Sequence, residues 1–218
     1  MKIILSCSAR KNGEFFRYNG EKIHFVANPQ AAPKEKDVSY YHPDDIIPGR
    51  NITWREYIQS DEFQSDDNNL PAYKLYKPEI FKKLYEKFGD DFYILSAGWG
   101  LIKASFKIPY YDITFSSNVS DKFKKRYKKI RFNDFNQLTD HINKDEKIIG
   151  FFGNDYLDLF YSLTKDLSNR KYVFKNSSIK KHYDNIQFIP FHSKQKRIWH
   201  YKAAEKLLEK DVETILNQ

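Results

Sequence analysis

Residues 108–115, Ile-Pro-Tyr-Tyr-Asp-Ile-Thr-Phe, place one carboxylate, Asp112, in a stretch with no other charge. Burial among such neighbours raises a carboxyl pKa and nearby cations lower it. Asp112 therefore suits either a satisfied structural carboxylate or a catalytic group. Just upstream, Ser96-Ala97-Gly98-Trp99-Gly100-Leu101 sets two glycines around a tryptophan. Such a loop permits a tight turn and close backbone approach to a ligand, with Gly98 and Trp99 as one wall. A core tryptophan closing a strand corner fits the same residues. Cys7-Ser8-Ala9-Arg10-Lys11 supplies a hydroxyl, backbone N–H groups and two cations, the ingredients of a phosphate seat. It is no Walker A loop, because the glycine-rich spacing is missing. Cys7 reads as a small hydrophobe ending a strand.

Two basic segments follow. Residues 120–131 read as a helix with interleaved aromatics, on which Lys124, Lys125 and Lys128 can track a phosphate backbone; a solvated charged face is the competing reading. Residues 192–201 bring Lys194, Arg197 and His200 to the opening of the last helix, where basic groups meet anions. His200 either polarises a leaving group or packs beside Trp199. The six histidines are scattered without metal-ligand spacing, so neither a metal nor another cofactor is expected.

These groups depend on elements that the residue pattern predicts. Residues 2–7 read as a strand, and 14–18 with 21–26 as a hairpin around Asn19-Gly20. Residues 28–50 are proline-rich and aperiodic, an irregular excursion. Thr53 and Glu56 form a capping box that opens a short helix, and residues 60–69 read as an acidic surface loop. A helix is expected over 78–88, a strand over 92–96, another over 147–152 and a helix over 155–164. Strands at 171–174 and 186–191 precede a final amphipathic helix over 195–216. Strands separated by helices imply a single α/β domain over residues 1–218: three layers around a mostly parallel central sheet, with a hairpin and long loop inserted over about 12–70. Ligands bind such sheets at the carboxyl ends of the strands. That rule selects residues 7–11, 96–101, 153–156 and 191–194, which should lie along one edge.

Composition narrows the classes further. The 218 residues carry 37 Lys and Arg against 29 Asp and Glu, a net charge of +8, and 17% are aromatic. Basic surface attracts phosphate and aromatic faces stack on bases, although an AT-rich coding sequence enriches the same residues. Disorder and collagen-like structure are excluded for the whole chain. No apolar run approaches the roughly 20 residues of a membrane span. The first apolar run is too short for a signal peptide, and the single cysteine forms no internal disulfide, so a cytoplasmic protein is expected.

Leu70-Pro71-Ala72-Tyr73-Lys74-Leu75-Tyr76, the 96–102 loop and Tyr111-Asp112-Ile113-Thr114-Phe115 together resemble a largely uncharacterised family of bacteria and their phages. Its pattern is a strand ending in a Cys/Ser-Lys turn, a Pro-Ala-x-x-Leu-Tyr segment, a Ser-Ala-x-x-Gly-Leu loop and a Tyr-Asp-x-Thr segment. The resemblance spans nearly the whole chain in order. Gly98-Trp99-Gly100 departs from the Lys-His-Gly common at that loop, which removes any histidine role there. The family is similar in layout to the peroxide-stress protein YaaA, to domains of archaeosine synthesis and, further off, to the uracil-DNA-glycosylase type of α/β fold. The resemblance implies a nucleobase-directed function by fold analogy.

The expectation is a DNA glycosylase that flips a modified or foreign base into a pocket, in a setting of anti-phage defence. Asp112 would stabilise the sugar cation or orient water, Asn154 would read the base edge, and His200 would assist the departing base. Ser8, Gly98, Trp99, Tyr110 and Tyr111 would hold the base. Arg10, Lys11, Lys124, Lys125, Lys128, Lys194 and Arg197 would hold phosphates. A non-catalytic DNA-binding stress-response protein and an enzyme of free nucleotides are the alternatives. No membrane partner is expected.

Overall fold

The computed structural model describes all residues except 128, 177–182, 196 and 217–218. Lys128 thus lies outside the described residues. The chain opens with β1 (Lys2–Ser6), whose five residues are all buried. β2 (Phe16–Tyr18) and β3 (Glu21–Val26) form the expected hairpin, with Asn19 at φ 49° and Gly20 at φ 83°. Two consecutive left-handed residues match the twist of a two-residue hairpin, and Asn-Gly accepts them at least cost. The expected excursion over 28–50 contains a further strand, β4 (Val38–Tyr41), parallel to β3. α1 (Trp54–Gln59) starts at Thr53 with both arms of the capping box formed. The acidic 60–69 segment is not all loop: α2 (Asp61–Ser65) buries Phe63.

α3 (Ala72–Leu75) and α4 (Ile80–Phe88) lead into β5 (Phe92–Ser96) and its antiparallel neighbour β6 (Gly100–Lys103). Two-residue strands β7 (Tyr111–Asp112) and β8 (Phe135–Asn136) follow. β9 (Ile148–Phe151), α5 (Leu157–Thr164), β10 (Lys171–Lys175) and β11 (Ile186–Pro190) complete the alternation. The expected last helix is broken. α6 (Trp199–Glu209) ends at extended Lys210, and α7 (Val212–Leu216) follows. Nor do the described residues of 120–131 form the expected basic helix; they carry a 3₁₀ turn at Lys122–Lys124. Its aromatics Phe123 and Phe132 pack against Tyr40 and His42, so side-chain packing decides that segment's shape.

The central sheet has the order β11-β10-β9-β1-β5-β6-β8, parallel except at β5–β6. Side chains alternate across it. Ile3 and Leu5 join one buried cluster with α4 and α6, whereas Ile4 joins the other with Leu157 and Phe160 of α5. Helices therefore cover both faces. A smaller sheet of β2, β3, β4 and β7 shares the first cluster through Phe25, beside Trp54 of α1. Because β1, β5, β9 and β11 run in one direction, their carboxyl ends share one edge, as the pattern required. Among the described residues, no helix is long and apolar enough to cross a membrane.

Candidate functional site

From β1 the chain proceeds to β5 on one side of the sheet and later crosses to β9 on the other. At such a switch point the connecting segments diverge and leave a crevice at the carboxyl ends. A cavity of about 350 Å³ lies there, lined by Cys7, Ser8, Lys11, Asp112, Lys124 and Tyr156. Ala9, Ile113, Thr114, Ser116, Asn118 and Val119 complete its wall.

Asp112 enters because β7 adds to β3, pairing Val26 with Asp112. Its Oδ2 lies 3.2 Å from His24 Nε2 and 3.6 Å from Lys124 Nζ. A carboxylate only accepts, so His24 carries a proton on Nε2, and its buried Nδ1 has no hydrogen-bond partner among the described residues. Burial pushes the Asp112 carboxyl up, but the His24 hydrogen bond and the charges of Lys11 and Lys124 prevail, and its pKa falls below the usual 3.8. Asp112 is an anion at neutral pH.

Lys11 is only 7% exposed. Burial lowers its pKa, against the pull of Cys7 and Asp112. Its ammonium lies 4.2 Å from the centre of the Tyr111 ring and makes no hydrogen bond or ion pair among the described residues. Lys124 differs. Burial lowers its pKa, but Asp121, at 2.9 Å, and Asp112 outweigh that and raise it. Cys7 Sγ is 3.1 Å from the Tyr156 hydroxyl, whose pKa burial drives well above 10. Ser8 Oγ accepts from the Arg10 N–H, forming the expected polar turn. It also meets Tyr201, whose hydroxyl burial pushes up to about 12.

Other expected site residues lie elsewhere. Trp99 is completely buried, packing its ring near Phe25, Tyr111 and Phe135, so it is a core tryptophan and no wall for a base. Gly98 is buried as well, and a Cβ there would stand 2.9 Å from the Tyr111 ring. A side chain's approach, not a ligand's, demands that glycine. Two arginines take the loop's carbonyls: Arg55 donates to Gly98 and Trp99 while paired with Asp44, and Arg126 donates to Ala97 while paired with Asp134. Tyr111 is also fully buried, hydrogen-bonded to Tyr76 and Ser96, each at 2.8 Å. It supports Lys11 and does not line the cavity.

Asn154 is exposed and outside the cavity lining. His200 is held back between Trp199 and Tyr201, and burial lowers its pKa to about 4. A neutral imidazole off the cavity wall has no hold on a departing base. Arg10, Lys194 and Arg197 are exposed, and Lys125 bridges to Thr114 through its backbone; none lines this cavity. Tyr110 lines two other cavities instead. The structure thus brings Ser8, Lys11, Lys124 and Asp112 together from the expected set. It adds Cys7, Tyr156 and His24, of which His24 left no signal beyond alternation on β3. Among the described residues, no cluster of three or more His, Cys, Asp or Glu is placed to hold a metal.

A family model matches residues 63–188, more than half of the chain: DUF6884, a family of unknown function. The chain belongs to that family. No curated protein and no solved structure matches it. The DUF6884 segment carries Asp112, Lys124 and Tyr156, whereas Cys7, Ser8, Lys11 and His24 come from the residues before it. The cavity is therefore built jointly by the family segment and the N-terminal part.

Proposed function

We propose that this protein breaks an N-glycosidic bond, acting as a glycosylase on a modified or foreign DNA base. The observation that carries the reading is Asp112: an ionised carboxylate facing a cavity of about 350 Å³, within charge reach of Lys11 and Lys124. That volume falls within the range of small-ligand pockets, so a base must leave its stack to enter. In this reading the Ser8–Lys11 turn and Lys124 hold phosphate, and Ile113, Val119 and Tyr156 face the base. As the C1′–N bond breaks, its electron pair leaves with the base and positive charge develops on the sugar. Asp112 stabilises that charge and orients a water, whose oxygen bonds C1′ while its proton passes to the departing base. Trp99, Asn154 and His200 have no part in it.

The test is incubation with phage genomic DNAs carrying different base modifications, scored as alkali-labile sites. Asp112→Asn should cut the rate by roughly 10²–10³, the scale for losing one electrostatic group, and leave DNA binding in place. Wild-type cleavage by that variant would remove Asp112 from the chemistry.

A second reading, hydrolysis or group transfer on a free nucleotide, draws support from one observation. Lys124 and Arg126, expected on a DNA-facing helix, pair instead with Asp112, Asp121 and Asp134. Release of base from mononucleotides but not from DNA would favour it.

A further inference from the structure

Lys11 borders a second cavity, of about 530 Å³, which the hairpin and the 11–15 segment enclose with Lys77. Arg17 of β2, Lys22 of β3 and Lys77 line it together with Lys11, against one carboxylate, Glu14. Among the described residues, the side chains of Arg17, Lys22 and Lys77 make no hydrogen bond, ion pair or ring contact. Among the described residues, the Lys11 ammonium meets two ring faces, Tyr111 at 4.2 Å and Tyr110 at 5.7 Å. Four cations therefore line this cavity with one carboxylate, and the most deeply buried of them, Lys11, makes no ion pair among the described residues, Asp112 acting on it only at longer range. Desolvating an ammonium without a partner is costly, and an arriving anion offsets that cost.

The same cavity carries two partly exposed rings. Tyr110 lines it, and Phe15 lies edge-on to Tyr110 at 5.6 Å while stacking on His24, the partner of Asp112. Cations interleaved with aromatic faces are what a single nucleic-acid strand uses, phosphates on the former and bases on the latter. Lys11 is common to both cavities, so a phosphate beside it joins a nucleotide in the first to its neighbour in the second.

We propose that the second cavity binds the phosphate and base of the nucleotide adjoining the one held beside Asp112, so that the ligand is a phosphodiester strand. This deepens the reading of the first cavity as a nucleotide site and rests on it. A mononucleotide would leave Arg17, Lys22 and Lys77 with nothing to neutralise.

The test measures affinity for a short fluorescent single-stranded deoxyoligonucleotide across ~50–200 mM salt, beside a nucleoside triphosphate. Arg17→Ala/Lys22→Ala/Lys77→Ala should weaken strand binding on the order of tenfold and lower the log–log salt slope by about 2, at ~0.7 per phosphate contact. Lys82→Ala/Lys83→Ala, two exposed α4 lysines outside the cavity, should change the slope far less. An unchanged slope in the triple variant, an equal loss in the α4 control, or binding of the triphosphate alone would each overturn the proposal. Unchanged melting of the triple variant confirms that it is folded. Strand binding is read without cleavage, so a protein that binds as proposed but releases no base from any DNA would retire the glycosidic reading alone.

Discussion

Tyr111→Phe tests how the site is held. Ser96 Oγ accepts from the N–H groups of Gly98 and Trp99, at 3.3 and 3.1 Å, which occupies both of its lone pairs. Its own proton therefore points to the Tyr111 hydroxyl, and the Tyr111 proton to Tyr76. All three residues are at most 2% exposed. Removing the Tyr111 oxygen takes the 2.8 Å partner from a buried Ser96 donor and a buried Tyr76 acceptor, leaving them only each other. At ~1–3 kcal/mol for each unsatisfied group, and with partial relaxation, the cost is about 3 kcal/mol. For a chain of this length that is a fall in Tm of roughly 6–12 °C by calorimetry. The phenyl ring still fills the space and still faces Lys11, so the loss belongs to the hydroxyl alone. Adding Tyr76→Phe removes one of the two stranded groups, and the double variant should cost less than the sum by on the order of 1 kcal/mol. A Tm change within about 2 °C, or strict additivity, would refute the hydroxyl chain.

His200 and Lys11 give two further outcomes. The folded pKa of His200 lies at about 4, below the ordinary 6.5, so the unfolded chain takes up the proton first as pH falls. Stability is then lost between those two values, about 3 kcal/mol in full, and His200→Phe should flatten that part of the Tm–pH curve without changing any activity profile at neutral pH. A wild-type-like slope in the variant would show that the imidazole titrates normally. Burial lowers the Lys11 pKa, so its charge opposes folding at neutral pH, and stability rises as pH climbs from the folded pKa towards 10.5. Lys11→Met keeps the stem's volume, and should raise Tm while weakening oligonucleotide binding. A lower Tm would mean that the ammonium is paired.

The elements that frame the site were legible because their signals are local. Asn19-Gly20 requires consecutive left-handed residues, Thr53 and Glu56 close a capping box on themselves, and the apolar runs at 92–96 and 147–152 are strands buried on both faces. The edge that carries the crevice follows from strands running in one direction, so the 7–11 turn lies at the carboxyl ends as expected. The basic helix at 120–131 failed because charge pattern does not set backbone conformation there. Phe123 and Phe132 pack on Tyr40 of β4 and on His42 just after it, and Lys124 and Arg126 pair with Asp112 and Asp134 outside the segment. The 195–216 helix broke at Lys210, a point that periodicity does not mark.

Residue types alone put cations and one unusual carboxylate in the chain, and strand order puts the turn of residues 7–11 at the carboxyl edge of the sheet, beside the crevice. Tertiary structure decided which of those groups meet. β7 pairs with β3 across more than 80 residues of sequence, and that pairing sets His24 against Asp112 at 3.2 Å. The same packing withdraws Trp99 and Tyr111 into the core and leaves Lys11 between two cavities, its ammonium without an ion pair among the described residues. Burial and pairing depend on neighbours remote in sequence, and no local pattern encodes them.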